Sequence, residues 1–448
     1  MNLTDKFVDE IYKVGTTSYN ERTSKLVTRC LLDYVGVTYA GAKMLEDKAN
    51  KILILLSSDK DGHKIIGLDA KSDLNTAILI NGLFSHVAEL DDGVRYGMLH
   101  PGAPIFSALL PLARNRNVTY EDFVKGVVAA YETSIRIARA IQPSHYGLGY
   151  HPTATCGSIG AAAGISVMLR QSKKQLKDAI SAAAISSSGT LKVIENSSQI
   201  KPFNVGRSSV IGYMSFLMSE AGFDGPQNVL EGDIGFLSIM SKDYDVNELI
   251  KLATQDNLSI ELTYFKPYAA CRHAHPSIEA VSKMLFQGLK ADEVQSIVVH
   301  TYGTILGKHD KKEVYGVSSA KMSIPFSIAL TLCKGGAGIN DFTEENVNDQ
   351  RIIDITNRVE IKARKEFTDL VPDKRVALVE VTSFDGRIYS EQVDFPKGEP
   401  ENQLTDSEFE AKFEELLIFS ETDSEKIAEL KNSILHIETE FKTLLNLL

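Results

Sequence analysis

The stretch GYHPTATCGSIGAAAGISVML, residues 149–169, sets a histidine against a run of glycine, alanine and serine, and its reading decides the fold. GSIGAAAG, residues 157–164, lacks the GxGxxG spacing, and no hydrophobic strand precedes it. It therefore does not read as a dinucleotide-binding turn. It reads as a helix on which Gly157, Gly160 and Gly164 share roughly one face, where missing side chains let another backbone approach closely. His151 stands before this helix, and Pro152 holds it extended just ahead of the first helical amides. An imidazole there can face a cavity, and an anion in that cavity would meet the positive end of the helix.

Outward from this stretch, residues 1–266 read as helix after helix. TDKFVDEIYKV (4–14), SKLVTRCLLDYVGVTYAG (24–41), LNTAILINGLFSHVAEL (74–90), YEDFVKGVVAAYETSIRIARAI (120–141) and SKKQLKDAISAAAISSS (172–188) all space apolar residues three or four apart. No alternating strand pattern interrupts them, and Thr119 followed by Glu121 and Asp122 marks a helix start. After Lys266 the pattern changes. VQSIVVHTYG (294–303), NRVEIKAR (357–364) and RVALVEVTSFDGRIYSEQV (375–393) alternate β-branched residues, and Asp385-Gly386 predicts a tight hairpin turn. Helical spacing returns in HPSIEAVSKMLFQG (275–288) and SIPFSIALTLCKGG (323–336), so residues 267–398 read as α+β. The tail, QLTDSEFEAKFEELLIF and SEKIAELKNSILHIETEFKTLLNLL, is amphipathic helix again. The expected fold is mostly α with a second α+β domain: a large helical domain from both chain ends, residues 1–266 and 399–448, with residues 267–398 inserted.

At 448 residues the chain exceeds the size at which a single core keeps growing, which favours two domains. Its net charge of -11 disfavours a general nucleic-acid or anionic-membrane surface, so positive charge for an anionic ligand must be local. Cys30, Cys156, Cys271 and Cys333 lie far apart without a CxxC pair, which gives no zinc or iron–sulfur signature and suits a reducing compartment. MNLTDKFVDEIYKVGTT lacks the apolar core of a signal peptide, and the small-residue run 154–169 is too short to span a bilayer. The expectation is a soluble cytoplasmic protein with no metal.

Four segments carry candidate chemistry. In HVAELDDGVRYGMLHPGAP (86–104), a helix continuing to Gly93 would align His86, Glu89 and Gly93 on one face with Asp92 beside them, while His100 opens the next segment. The competing reading there is a solvated acidic helix end involving Asp91, Asp92 and Arg95. His151 supplies a second imidazole before a proline. In NSSQIKPFNVGRSS (196–209), Lys201 and Arg207 sit near a helix start, where cations are unfavourable unless an anion is close. In TYFKPYAACRHAHPSIEAV (263–281), Lys266, Arg272, His273 and His275 cluster. The H-x-H pair there lacks an accompanying zinc pattern, so carboxylate recognition by cations is the better reading. Lysines and arginines for carboxylates, with histidines for proton transfer, suit removal of a proton next to a carboxylate.

The motifs AELDDGVRYGMLHPGAP, GYHPTATCGSIGAAAG, IKPFNVGRSS, AGFDGPQNVLEGDIGF, FKPYAACRHAHPSIEA and SIPFSIALTLCKGG occur in one order across nearly the whole chain. In this the sequence resembles the MmgE/PrpD family, which includes 2-methylcitrate dehydratase, cis-aconitate decarboxylase and iminodisuccinate epimerase. The resemblance implies an all-helical domain built from both chain ends, a smaller α+β lid, a homodimer and a site that needs no metal or organic cofactor. It also implies active-site positions at Glu89, Gly93, His100, His151, Lys201, Lys266 and Phe326. Glu89 and Gly93 stand where the decarboxylase-like pattern has Asp and Thr, and Phe326 where Tyr is common, which turns the reading away from decarboxylation. The resulting expectation is a cofactor-independent hydro-lyase acting on a small di- or tricarboxylic acid of the 2-methylcitrate type. His100, His151, Lys201 and Lys266 would be catalytic. Glu89, Asp92, Gly93, Arg207, Arg272, His273, His275 and Phe326 would bind substrate. The alternatives are an epimerase of an amino- or imino-dicarboxylate, a decarboxylase of cis-aconitate type, and a small-acid binding protein without turnover.

Overall fold

Helix Tyr120–Ile141 shows how the first part of the chain organises itself: Thr119 caps it by accepting from the Asp122 amide, and its buried face packs on helix Pro152–Met168. A computed structural model describes residues 1–56, 62–194 and 198–448. Two compact units emerge, one comprising Met1–Val193, Ile200–Thr263 and Thr405–Leu448, the other Ile194–Gln199 and Tyr264–Leu404.

In the first unit the Pro152–Met168 helix is central and packs on Tyr120–Ile141, Lys173–Ser186, Lys201–Glu220 and Gly102–Asn115. Almost all of its residues are buried, so its small side chains set how closely these neighbours approach. A Cβ on Gly160 would lie 2.8 Å from the Ala130 carbonyl oxygen, and one on Gly164 the same distance from that of Gly126. Gly157 differs from the other two, since its Cβ would meet Pro104 and Ser208. The tail returns as helices Asp406–Phe419, Ser424–Leu435 and Ile437–Leu447, the first of which packs on the long Glu21–Leu55 helix. The expectation of uninterrupted helices needs one correction: His63–Ile65 (β1) and Leu68–Ser72 (β2) form a small antiparallel hairpin. Its strands are too short for alternation to register in sequence.

The second unit is built on a four-stranded sheet of Val294–Thr301 (β3), Val359–Ala363 (β4), Ala377–Ser383 (β5) and Ile388–Val393 (β6), in the order β4-β3-β5-β6. β3 runs parallel to β4, with Ile297 opposite Val359, and antiparallel to β5, with Val299 opposite Val379. Ala377, Val379, Val381 and Ser383 form the buried face of β5, and helix His275–Phe286 packs on β5 and β6. Phe384, Asp385 and Gly386 form the β5–β6 turn, in which Ser383 N donates to the Arg387 carbonyl and Gly386 takes φ +86. The turn at Asp385-Gly386 is thus one residue longer than a two-residue turn, with glycine at its left-handed position.

Candidate functional site

The segment between helices Leu74–Val87 and Gly102–Asn115 does not continue as helix. The first helix ends at Val87, and Glu89 adopts φ +59, a left-handed conformation that costs a non-glycine residue energy and turns the chain sharply. The expected helical alignment of His86, Glu89 and Gly93 is therefore wrong: His86 is in the last turn of the helix, and Glu89 and Gly93 lie on an irregular loop beyond it. Nor is the loop a solvated acidic end: Asp91, Asp92 and Arg95 are all buried. The tail helix anchors it, since Lys412 donates to the Leu90 carbonyl at 2.9 Å and pairs with buried Asp33.

Three imidazoles meet around this loop. His86 is fully buried, with its ring centroid 5.2 Å from that of His100 and 6.0 Å from that of His151. Its Nδ1 lies 2.6 Å from Asp91 Oδ2, and its buried Nε2 has no hydrogen-bond partner among the described residues. His100 Nδ1 lies 2.6 Å from the Asp92 carbonyl oxygen and 3.6 Å from Asp91 Oδ2. A carbonyl only accepts, so His100 carries its proton on Nδ1 and presents a lone pair at Nε2. The His100 backbone amide donates to Thr153 Oγ1 at 3.1 Å, tying the loop to the first turn of the Pro152–Met168 helix.

His151 has the opposite protonation. Asn204 Nδ2 lies 3.2 Å from His151 Nδ1 and 3.3 Å from the Thr190 carbonyl oxygen. The Thr190 carbonyl orients the amide with its NH2 towards both partners, so His151 Nδ1 accepts and the ring proton resides on Nε2. Burial drives the His151 pKa well below its ordinary value, and the neighbouring His86, Lys201 and His100 act in the same direction, since none of them favours a second cation beside it. The ring is thus a neutral Nε2–H donor at physiological pH. Its extended backbone as N-cap of the helix follows from Pro152, as the sequence suggests.

Lys201, the first residue of helix Lys201–Glu220, forms an ion pair with Glu89. The anion that its position called for is supplied within the chain. Arg207 donates to the hydroxyl and carbonyl of Ser188. Asp92, expected to contact substrate, has both carboxylate oxygens engaged internally: Oδ1 accepts from Gly102 N at 3.0 Å and Oδ2 from Tyr131 OH at 2.7 Å. Its carbonyl, not its carboxylate, serves the imidazole centre. Burial, with Asp33 and Asp91 nearby, raises its pKa to about 8 against the opposing Tyr131 hydrogen bond. Gly93 is buried in the loop beside it.

The other candidates belong to the second unit. Lys266 is buried in the segment held by the Phe265 N to Gly398 carbonyl hydrogen bond of 2.9 Å. Arg272 is buried and paired with buried Glu399, so its charge already has a counterion, and its guanidinium carbon lies 4.9 Å from the Tyr264 ring centroid. His275 is buried with Nε2 3.1 Å from the Ala270 carbonyl oxygen. Phe326 is buried with its ring 6.3 Å from Phe342. His273 lies beside Cys271 and His309 rather than His275. Sequence reasoning missed Asn204 and His309 as site candidates, and it named His86 and Asp91 in the 86–104 segment without carrying them into the final set. Asn204, one helical turn after Lys201, carried a usable signal, whereas the irregular 88–101 loop gave no periodicity to place Asp91 against His86.

Fold and geometry together define a mainly helical protein with a histidine centre able to take up and deliver protons. Residues 5–249 match the MmgE/PrpD N-terminal domain and residues 268–435 the MmgE/PrpD C-terminal domain, and the chain belongs to this family. It is 23% identical to the cis-aconitate decarboxylase-like protein oryM of Aspergillus oryzae over 84% of this chain and 82% of that one. It is 25% identical to the mitochondrial 2-methylcitrate dehydratase of Yarrowia lipolytica over 62% of this chain and 55% of that one. These relatives are enzymes, and the chain is an enzyme of the same family. No helix among the described residues is long and apolar enough to cross a membrane.

Proposed function

We propose that the protein is a hydro-lyase that removes water from a small di- or tricarboxylic acid of the 2-methylcitrate type without an organic cofactor. The observation that carries this reading is the contrast between two Nδ1 contacts, a carbonyl oxygen at His100 and an amide NH2 at His151, from which we infer a lone pair at His100 Nε2 and a proton at His151 Nε2. Elimination next to a carboxylate needs such a pair, a base for the carbon-bound proton and a donor for the departing hydroxyl. His100, with its side chain 16% exposed against 0% for His86, is the base that a solute reaches. The electrons released from the C–H bond move into the carboxylate, whose developing charge Lys201 stabilises, and then expel the β-hydroxyl. His151, neutral through burial, polarises that C–O bond by donating from Nε2. The hydroxide leaves as water with the proton that His100 removed. For Lys266 in the second unit, carboxylate binding rests on the sequence reading and the motif resemblance, a homodimeric assembly on the resemblance alone, and a cytoplasmic location on the sparse, unpaired cysteines.

The same two imidazoles suit a second reading, epimerisation at one α-carbon, because one face can lose a proton while the other gains it. Incubating the purified protein with methylcitrate, citrate, cis-aconitate and iminodisuccinate, and reading products by mass and chirality, separates the readings. Loss of one water supports the hydro-lyase, inversion at constant mass supports the epimerase, and loss of carbon dioxide supports a decarboxylase. Turnover of α-deuterated substrate with no isotope effect and with its α-deuterium retained in the product overturns proton abstraction altogether.

A further inference from the structure

We propose that Cys271, His273 and His309, all in the second unit, form a binding site for a zinc-class divalent metal ion. One ligand atom from each of the three side chains lies within 4.8 Å of the other two. This trio, a thiol and two imidazoles, is a donor set that favours zinc among the abundant divalent ions.

The surroundings orient the donors. His309 Nδ1 lies 3.1 Å from the Met322 carbonyl oxygen, which accepts its proton and leaves the Nε2 lone pair for a metal. His273 Nδ1 is 2.5 Å from Tyr302 OH, again leaving Nε2 as the ligating atom. Metal-bound histidines generally have their second nitrogen held this way, which fixes the ring and its tautomer. The two rings stack with centroids 4.8 Å apart, and the Cys271 side chain hydrogen-bonds to that of His309. The adjoining residues Lys321 and Met322 hold both ends of the group: the Lys321 carbonyl accepts from the Cys271 amide at 2.8 Å, and that of Met322 holds the His309 ring. Three protein donors leave one tetrahedral position to water or another small donor, the arrangement of open zinc sites rather than closed structural ones.

Charge decides which donor matters most. Arg272 and Arg375 and Lys308 lie near enough to act on His273, and of these Arg272 is neutralised by Glu399. Imidazoles alone would leave a divalent cation in positive surroundings, so the negatively charged sulfur of Cys271 is indispensable. His275, although the sequence pairs it with His273, is engaged by the Ala270 carbonyl.

The test uses the full chain, metal-stripped and titrated with Zn2+, and separately with Co2+ as a spectroscopic probe. We expect one equivalent of tightly bound Zn2+ and, for Co2+, a sulfur-to-metal charge-transfer band with tetrahedral d–d bands. Cys271→Ser should abolish that band and weaken Zn2+ binding at least 100-fold, while His436→Gln, at an exposed histidine, should change neither. A readout that needs no variant is alkylation of the wild-type thiols followed peptide by peptide. Zn2+ should slow modification of Cys271 at least tenfold and leave that of Cys333, also partly exposed, unchanged. Absence of stoichiometric binding to the wild type, a charge-transfer band that survives in Cys271→Ser, or equal protection of Cys271 and Cys333 would each overturn the site.

Discussion

His86 Nδ1 and Asp91 Oδ2 stand 2.6 Å apart at the centre of the first unit, and the same carboxylate oxygen lies 3.6 Å from His100 Nδ1. The carboxylate thus holds the His86 ring with its Nδ1 proton facing it and its Nε2 lone pair turned away, while the Nδ1 proton of His100 goes to the Asp92 carbonyl. Asp91→Asn keeps the size of the side chain but allows its NH2 group to face the His86 ring and reverse its tautomer, and removes the negative charge beside His100. The expected loss in kcat is about 10²- to 10⁴-fold, the range of general acid–base catalysis, with little change in KM. Steady-state kinetics on whichever acid turns over checks it, and a variant with wild-type kcat would remove Asp91 from the machinery.

Asn204 sets the opposite tautomer at His151, and Asn204→Asp reverses it. A carboxylate at that position accepts a proton from Nδ1, which places the lone pair where the wild type has a donor. Nitrogen NMR of the histidine side chains should show the His151 proton moving from Nε2 to Nδ1, with kcat falling at least tenfold. An unshifted ring spectrum in the variant would contradict the assignment made from the Thr190 and Asn204 contacts.

Buried titratable groups of the first unit pull stability in opposite directions with pH. His151 has a pKa lowered by burial, and His145, held between the Met240 carbonyl and Thr155, is lowered to about 4, again chiefly by burial. The unfolded chain binds more protons at both sites below about pH 6.5, so stability falls as pH drops from there. For His145 the full loss is on the order of 3 kcal/mol by pH 4. Asp92 is raised to about 8, so the folded chain holds its proton where the unfolded chain has lost it. Its contribution is present below about pH 4 and declines as pH climbs towards 8. Urea titrations across this range should show stability peaking near pH 6.5, and Asp92→Asn should flatten the alkaline limb and steepen the acid limb, because the Asp92 contribution runs against that of the histidines between about pH 4 and 6.5.

The Tyr120–Ile141 helix is legible in the sequence because cap and apolar spacing agree, and the hairpin around Asp385-Gly386 because alternation flanks a turn signal. Local rules suffice where the physics is local. The Glu89 turn is not legible, since a left-handed glutamate is disfavoured by its own backbone, and the contacts around it come from far along the chain: Lys201 at its carboxylate and Lys412 at the Leu90 carbonyl. The pairing of His273 with His309 escapes for a related reason. Spacing in HAH suggests His275 as partner, whereas the fold brings in a histidine from beyond β3. His100 and His151 are visible as residues before prolines, but their opposite tautomers depend on Asp92 and Asn204, contacts that no pattern encodes.

Close helix packing gives a prediction independent of chemistry. Gly164→Ala would put a methyl 2.7 Å from Ala130 Cβ and 2.8 Å from the Gly126 carbonyl oxygen. Neither backbone can yield without moving a central helix, so overpacking outweighs the gain in helix propensity, and the variant should lose about 1–3 kcal/mol. Denaturant unfolding reads this directly, and unchanged stability would mean that these two helices are free to separate.

Glu89 and a substrate carboxylate compete for one ammonium group, that of Lys201. In the free protein Glu89 holds it, and both side chains are largely buried. If Lys201 binds substrate, an incoming carboxylate must share or displace that contact, and the energy of the existing pair is subtracted from binding. Glu89→Gln removes the competitor's charge while keeping its shape, so KM should fall severalfold. Lys201→Met removes the ammonium, and KM should rise roughly 10- to 150-fold, corresponding to about 1.5–3 kcal/mol for a hydrogen bond to a charged group. The double variant discriminates further: once Lys201 is gone, Glu89 repels the substrate's own negative charge, so adding Glu89→Gln should recover part of the lost affinity. A Glu89→Gln variant whose KM rises instead would show that Glu89 itself contacts the substrate and that its pairing with Lys201 positions it for that purpose.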